Sequence, residues 1–252
     1  MCNHFRAAHD SSRGTSAFPG PLSSTIIGKE AFESEERMRE VARRTALDIG
    51  VNNQQACLNA RVVYAQTGTD EAGIATANLF GQLVYDAIQA LPIHLSNPVR
   101  AINPELAQEL EGLRFARMLY RTYGGDGRGA VIVSQTDEPV EFSPLLNNRV
   151  ANIVPVDDLE IPIRAVTAYT QTIGIYPAEL VPVIRDRLAY HGAQRLVTLG
   201  FVATKRTVAG PQDGIEPMRR MCKWILNEVH DTDQVPYWPW PDSAEERSTA
   251  AG

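Results

Sequence analysis

Cysteine is scarce in this sequence. Cys2, Cys57 and Cys222 are the three, an odd number set far apart. Such spacing excludes a disulfide framework and a CxxC metal knuckle. Long apolar runs are also lacking. The longest candidate, Ile74 to Leu91, is broken by Asn78, Gln82 and Asp86. It therefore falls short of the roughly 18 to 20 apolar residues that a membrane helix needs. The opening stretch, MCNHFRAAHDSSRGTS, has no apolar h-region, so no secretory signal is read there. Basic charge is not in surplus either: 24 Lys and Arg stand against 30 Asp and Glu, for a formal net charge of -6. With no basic cluster, a nucleic-acid partner is not expected. Internal repeats and low-complexity tracts are absent as well. What remains is a globular composition, 44% hydrophobic and 21% charged, for which the cytoplasm is the expected compartment. The 252 residues suit one large domain or two small ones.

Residues 1–20 are polar and rich in Ser and Gly, and they read as a loosely ordered lead-in. Residues 21–230 read as the folded domain, and 231–252 as a Pro/Trp-rich and then polar tail. Within the domain, Leu22 to Gly28 predicts a short strand. Ser34 is the expected N-cap of a helix with Glu35 and Glu36 in its first turn. Met38, Val41, Ala42, Thr45 and Ile49 share one face of that helix, which ends near Gly50. Strand Arg61 to Gln66 follows, then a turn at Gly68 to Asp70 and a long amphipathic helix from Glu71 to Leu91. A helix begins at Asn103-Pro104, with Pro at its first position, and is expected to run to about Tyr120. Strands Ala130 to Ser134 and Ala151 to Val156, helix Ala178 to Tyr190, strand Arg195 to Gly200 and a last helix from Glu216 to Val229 complete the reading. Strands alternating with helices predict an α/β fold with a largely parallel sheet.

Cys57 is the residue with unusual flanks. Asn52, Asn53, Gln54 and Gln55 precede it and Asn59 follows. Four amide side chains in a row at a helix-to-strand junction are expensive to bury unsatisfied. They suit a cleft in which substrate or cofactor supplies partners, and a thiolate there would be a strong nucleophile. From composition alone a buried structural cysteine is the favoured reading, because free cysteines are among the most buried residues. Asn53, Gln54 and Gln55 could orient substrate or simply hold the cysteine loop.

Several ordered segments bear on that choice. GPLSSTIIGKEAF (Gly20 to Phe32) and DIGVNNQQACLNARVVY (Asp48 to Tyr64) resemble the acyl-CoA reductase family. This is the branch of the aldehyde dehydrogenase superfamily that includes the fatty acid reductase of bacterial bioluminescence. Farther on, TAYTQTIGIYPAEL (Thr167 to Leu180) and GAQRLVTLG (Gly192 to Gly200) are similar to that superfamily's late catalytic-domain segments, in the same order. The resemblance implies an aldehyde dehydrogenase-like catalytic domain with Cys57 as nucleophile. It implies an acyl-CoA or another activated acyl donor as substrate, an acyl-S-cysteine intermediate, and hydride from NADPH or NADH to release an aldehyde. It also implies that the Cys57 N–H is one oxyanion donor, the other being an asparagine upstream. A full-length member is considerably longer, and its part before residue 20 would hold most of the cofactor domain. No GxGxxG precedes Cys57 here. The glutamate that serves as general base in hydrolytic relatives is not found near Gly20-Pro21-Leu22, which fits a reductive branch. VEFSP (Val140 to Pro144) is the nearest text to the superfamily's late cofactor contact, and Glu141 is given no role.

Other features point to structure. GGDGRG (Gly124 to Gly129) reads as a hairpin turn rather than a phosphate loop. His4 and His9 have no third ligand nearby, so no metal is expected. His191 is expected at a helix C-terminus, Cys222 on a core face with Met218, Met221 and Ile225, and His94 and His230 without a recognisable partner. Two other functions stand beside the reductase. One is a non-catalytic assembly subunit that docks, as a homo-oligomer or with a complementary cofactor-binding half. The other is a Cys-His hydrolase, which requires a histidine beside Cys57.

Overall fold

The computed structural model describes residues 22–98, 102–125, 127–203 and 225–230. In chain order the elements are β1 (Leu22–Ile27), α1 (Glu35–Gly50), β2 (Ala60–Ala65), α2 (Glu71–Gln89) and α3 (Pro104–Gly112). Next come β3 (Tyr120–Gly124), β4 (Ala130–Ser134), β5 (Val150–Pro155), α4 (Glu160–Ala165), β6 (Thr170–Tyr176), α5 (Leu180–His191), β7 (Arg195–Thr198) and β8 (Leu226–Glu228). The strands form one sheet in the order β3-β4-β5-β2-β1-β6-β7-β8. Every pairing is parallel except β3 with β4. The α/β class with a largely parallel sheet is therefore as the sequence predicts.

Helices cover both faces, as parallel sheets require. Alternation along the strands divides the core. Ile27, Val131, Val133, Ala151 and Ile153 face α1 and α2, where Val41, Ala42, Ile49, Phe80 and Val84 are buried. Ile26, Ile173, Ile175 and Leu196 face the other way, onto Ile163 of α4 and Val181, Ile184 and Leu188 of α5. Ala130, Ile132 and Val150 meet Leu106 and Leu110 of α3. Helix starts follow their caps. Ser34 Oγ accepts from Arg37 N–H at 3.2 Å, and Asp70 accepts from Gly73 N–H at 2.7 Å. Asn103 accepts from Glu105 N–H ahead of Pro104. His191 ends α5, and Gly192 closes it with φ of 117°.

Two expected helices are corrected. The helix from Pro104 stops at Gly112 rather than near Tyr120, and a 3-10 turn over Leu113–Phe115 follows. Residues at its expected end form β3 instead, paired antiparallel with β4 from Tyr120↔Ser134 to Gly124↔Ala130. The apolar spacing beyond Gly112 is not a buried face: Phe115 is 89% and Met118 92% exposed. The helix expected over Glu216 to Val229 is contradicted in its described part, where Leu226–Glu228 lie as β8 beside β7. Pairing and a buried ion pair, Arg195 Nη2 to Glu228 at 2.6 Å, override the local helical spacing. Residues 216–224, and with them Cys222, Met218 and Met221, lie outside the described residues, as do His4, His9, the lead-in 1–20 and the tail 231–252. Ile225 is described and packs against the α5 side of the core. Strand β6 and the short α4 have no counterpart in the elements expected from sequence. The glycine-rich stretch from Gly124 to Gly129 is the β3–β4 hairpin loop, with Gly125 N–H donating to Gly129 O. No described helix is long and apolar enough to cross a membrane.

Candidate functional site

Cys57 lies in the loop between α1 and β2, at the amino ends of the central strands, and is half-buried. The chain reaches it through an uncommon turn. Asn52, Asn53 and Gln54 take φ values of 54°, 57° and 61° in succession. Left-handed backbone disfavours L-residues, though Asn tolerates it best. The turn is fixed by bonds at both ends. Asn52 N–H donates to Leu95 O at 2.9 Å, and Asn53 Oδ1 accepts from Asn97 N–H at 2.6 Å. Gln54 is fully buried and fully used. Its Nε2 donates to Ala60 O and Val150 O, and its Oε1 accepts from Val150 N–H, all at 2.8 Å. Gln54 thus pins the turn to β2 and β5.

The amides divide by position. Gln54 is a buried brace, Asn53 a half-buried clamp on the loop after α2, and Asn52 and Gln55 are exposed. Asn59 is also buried; its Oδ1 accepts from Ala56 N–H and its Nδ2 donates to Asp48 O, both at 3.1 Å. The Cys57 carbonyl accepts from Ser23 Oγ of β1 at 2.7 Å. Among the described residues, neither the N–H nor the thiol of Cys57 has a hydrogen-bond partner. The thiol and an unspent N–H are therefore presented together from a braced loop. That pairing can take up an acyl carbon and its developing oxyanion.

Two charged side chains near the loop were not singled out from sequence. Arg61, the second residue of β2, donates from Nε to Leu146 O at 2.8 Å, while its buried Nη1 has no partner. Burial holds its guanidinium below the ordinary arginine range, and the charge of Cys57 acts in the opposite sense. Asp48, in the last turn of α1, is completely buried. Desolvation pushes its carboxyl up to about 7, against the backbone bonds from Gly200 and Val202 and the charges of Arg195 and Arg44. Gly174 of β6 makes room for it, since a Cβ there would lie 2.7 Å from Asp48 Oδ2. Both residues stand inside the segment quoted for its resemblance. Nothing in their spacing distinguishes them from ordinary strand and helix positions.

The described histidines make contacts of their own. His191 ends α5 with its ring edge-on to Tyr190. His230, expected without a partner, donates its N–H to Thr198 Oγ1 and stacks on Phe201 with centroids 3.9 Å apart. Of the described histidines, His94, His191 and His230, none hydrogen-bonds Cys57.

Comparison with known proteins places the chain in a family. The chain is 28% identical over 214 residues to long-chain acyl-protein thioester reductase 2 of Photobacterium leiognathi, covering 84% of this chain and 42% of that protein. It is 29% identical over 199 residues to the long-chain acyl-protein thioester reductase of Photorhabdus laumondii, covering 76% and 38%. The chain thus spans less than half the length of these relatives. Among solved structures it is similar to an NADP-dependent glyceraldehyde-3-phosphate dehydrogenase from Bacillus halodurans, with a TM-score of 0.49 and 12% identity over 70% of this chain and 37% of that one. It is similar also to an NAD-dependent aldehyde dehydrogenase from Burkholderia multivorans, with a TM-score of 0.48 and 11% identity over 78% and 37%. A family model described as acyl-CoA reductase (LuxC) matches residues 18–224, most of the sequence, and so the chain belongs to the acyl-CoA reductase (LuxC) family.

Proposed function

We propose that this chain forms a thioester between Cys57 and a long-chain acyl group, as the covalent stage of reducing an activated acyl donor to an aldehyde. The Cys57 sulfur attacks the acyl carbonyl of an acyl-CoA or acyl-protein thioester. A new C–S bond forms, the donor's C–S bond breaks, and the departing thiol takes the proton that Cys57 gave up. The observation that carries this reading is the braced loop, which leaves both the thiol and the N–H of Cys57 unspent. The N–H can stabilise the tetrahedral oxyanion. Arg61, the second residue of β2, has a buried Nη1 without a partner among the described residues and so adds a cationic donor near the loop.

The family and its aldehyde dehydrogenase resemblance imply a nicotinamide cofactor, NADPH or NADH, whose chemistry would be hydride delivery to the acyl carbon. The described residues do not fit it. Their one glycine-rich turn is the β3–β4 hairpin, with no helix N-terminus behind it to receive a pyrophosphate. No step is therefore assigned to these residues beyond acyl capture. The sites of action proposed are cytoplasmic, with Asn53 and Gln54 supporting the loop and Gln55 at its exposed edge. Incubation of the protein with a long-chain acyl-CoA, followed by intact-mass measurement, tests the reading. A single acyl addition that disappears in Cys57→Ser is expected. An addition that survives Cys57→Ser would overturn it.

A further inference from the structure

Ser23 is 3% exposed, in the middle of the sheet, and its hydroxyl is used twice. It donates to the Cys57 carbonyl at 2.7 Å and accepts from Thr172 N–H of β6 at 3.1 Å. A parallel ladder ordinarily spends each strand N–H and C=O on a neighbouring strand. Here the ladder is irregular on both sides. The register of β1 shifts between Ser23 and Ser24 against β2, and between Leu22 and Ser24 against β6. At that irregularity the Thr172 N–H and the Cys57 C=O are both served by one side-chain oxygen. The peptide group that Ser23 grips is the one that follows the thiol-bearing Cα.

The remaining supports of the loop act on either side of that peptide. Gln54 fixes the turn three residues earlier, and Asn59 holds Ala56 N–H. Neither reaches the carbonyl of Cys57. We propose that Ser23 is the positioning residue for Cys57, holding its carbonyl against the sheet so that the thiol and the free N–H face the acyl donor together. This rests on the reading of Cys57 as the nucleophile. Reaction rates respond steeply to such placement, since a displacement of about 1 Å can lower them about a hundredfold.

The test compares wild type, Ser23→Ala and Ser23→Thr for acylation of Cys57 by a long-chain acyl-CoA at several concentrations. Ser34→Ala, at the cap of α1, serves as a control for lost stability alone. Ser23→Ala is expected to lower the maximal acylation rate about tenfold while changing the half-saturating concentration less than about twofold. Ser23→Thr, which keeps the hydroxyl, is expected to restore the rate to within about threefold of wild type, and Ser34→Ala to leave it unchanged. A wild-type maximal rate in Ser23→Ala overturns the proposal, as does a folded Ser23→Thr as slow as the alanine variant. Should Ser23→Ala not fold, Ser23→Cys, of similar size with a weaker donor, is held to the same criterion, its own thiol separated from Cys57 by peptide mapping. If wild type takes no acyl group, the nucleophile reading fails. Iodoacetamide then decides on Ser23: an alkylation rate of Cys57 that differs at least about threefold in Ser23→Ala supports the positioning role, and an equal rate overturns it.

Discussion

Gln54 has two opposed terms at one residue. Its φ of 61° is a conformation that L-residues avoid at about 1–2 kcal/mol each, and Gln lacks the local side-chain bonding that eases Asn into it. The side chain answers with three bonds to Ala60 and Val150, all inside the core. Buried groups stripped of a partner lose about 1–3 kcal/mol each, so these bonds outweigh the backbone strain. Gln54→Ala is therefore expected to destabilise the protein by about 3 kcal/mol in urea unfolding, with Cys57 acylation falling as the turn relaxes. Arg61 carries a different expectation. Arg61→Met keeps the side chain's bulk and removes the guanidinium. Removing Nε leaves the carbonyl of buried Leu146 without that donor, so stability should fall by about 1–3 kcal/mol in urea unfolding. Sequence could not sort these side chains. The amides are alike as text, and what separates Gln54 from Gln55 is β5, brought alongside from 96 residues away.

Elements were legible where their signals were local. Ser34 with Glu35 and Glu36 announces α1, the turn ending at Asp70 sets the start of α2, and in the structure Asp70 proves to be the α2 cap. The α2 cap gives a direct check: Asp70→Ala leaves Gly73 N–H unpaired and should lower stability by about 1 kcal/mol in thermal or urea melts, without altering acylation of Cys57. Elements defined by distant partners were not legible. The start at Asn103-Pro104 is a local signal, but the expected end near Tyr120 overshoots, and Phe115 and Met118 lie past the end of α3 at Gly112. Those last side chains face water, and the chain turns into β3 because β4 offers it an antiparallel partner. β8 is three residues long and exists through its pairing with β7 and the Arg195–Glu228 contact. Resemblance marked Thr167 to Leu180 as a segment of interest. It did not reveal that β6 lies directly beside β1, where Thr172 meets Ser23.

Across the molecule, the sheet gathers the site from its two central strands and their neighbours: Ser23 at the start of β1, the Cys57 loop entering β2, Val150 at the start of β5, and Thr172 in β6. All lie toward the amino ends of the strands, whereas open α/β sheets commonly bind ligands beyond the carboxyl ends. The same sheet buries Asp48 beneath the loop, and its titration is felt by the whole fold. Its carboxyl ionises at about 7 when folded and near 3.8 when unfolded. Between those values the folded chain keeps a proton that the unfolded chain has released. The residue's contribution is therefore fully present below the unfolded value and is lost as pH rises through the folded one. The unfolding free energy from urea titrations should fall from about pH 4 to about pH 7 by an amount on the order of a few kcal/mol in wild type, and that component should vanish in Asp48→Asn. An unchanged slope in the variant would place the titration elsewhere. The central claim, however, concerns one sulfur atom. Peptide mapping by mass spectrometry after incubation with a long-chain acyl-CoA tests it most directly. The account predicts an acyl mass on the peptide that contains Cys57, removed by neutral hydroxylamine as a thioester must be; an acyl mass on any other residue, or none on Cys57, would contradict it.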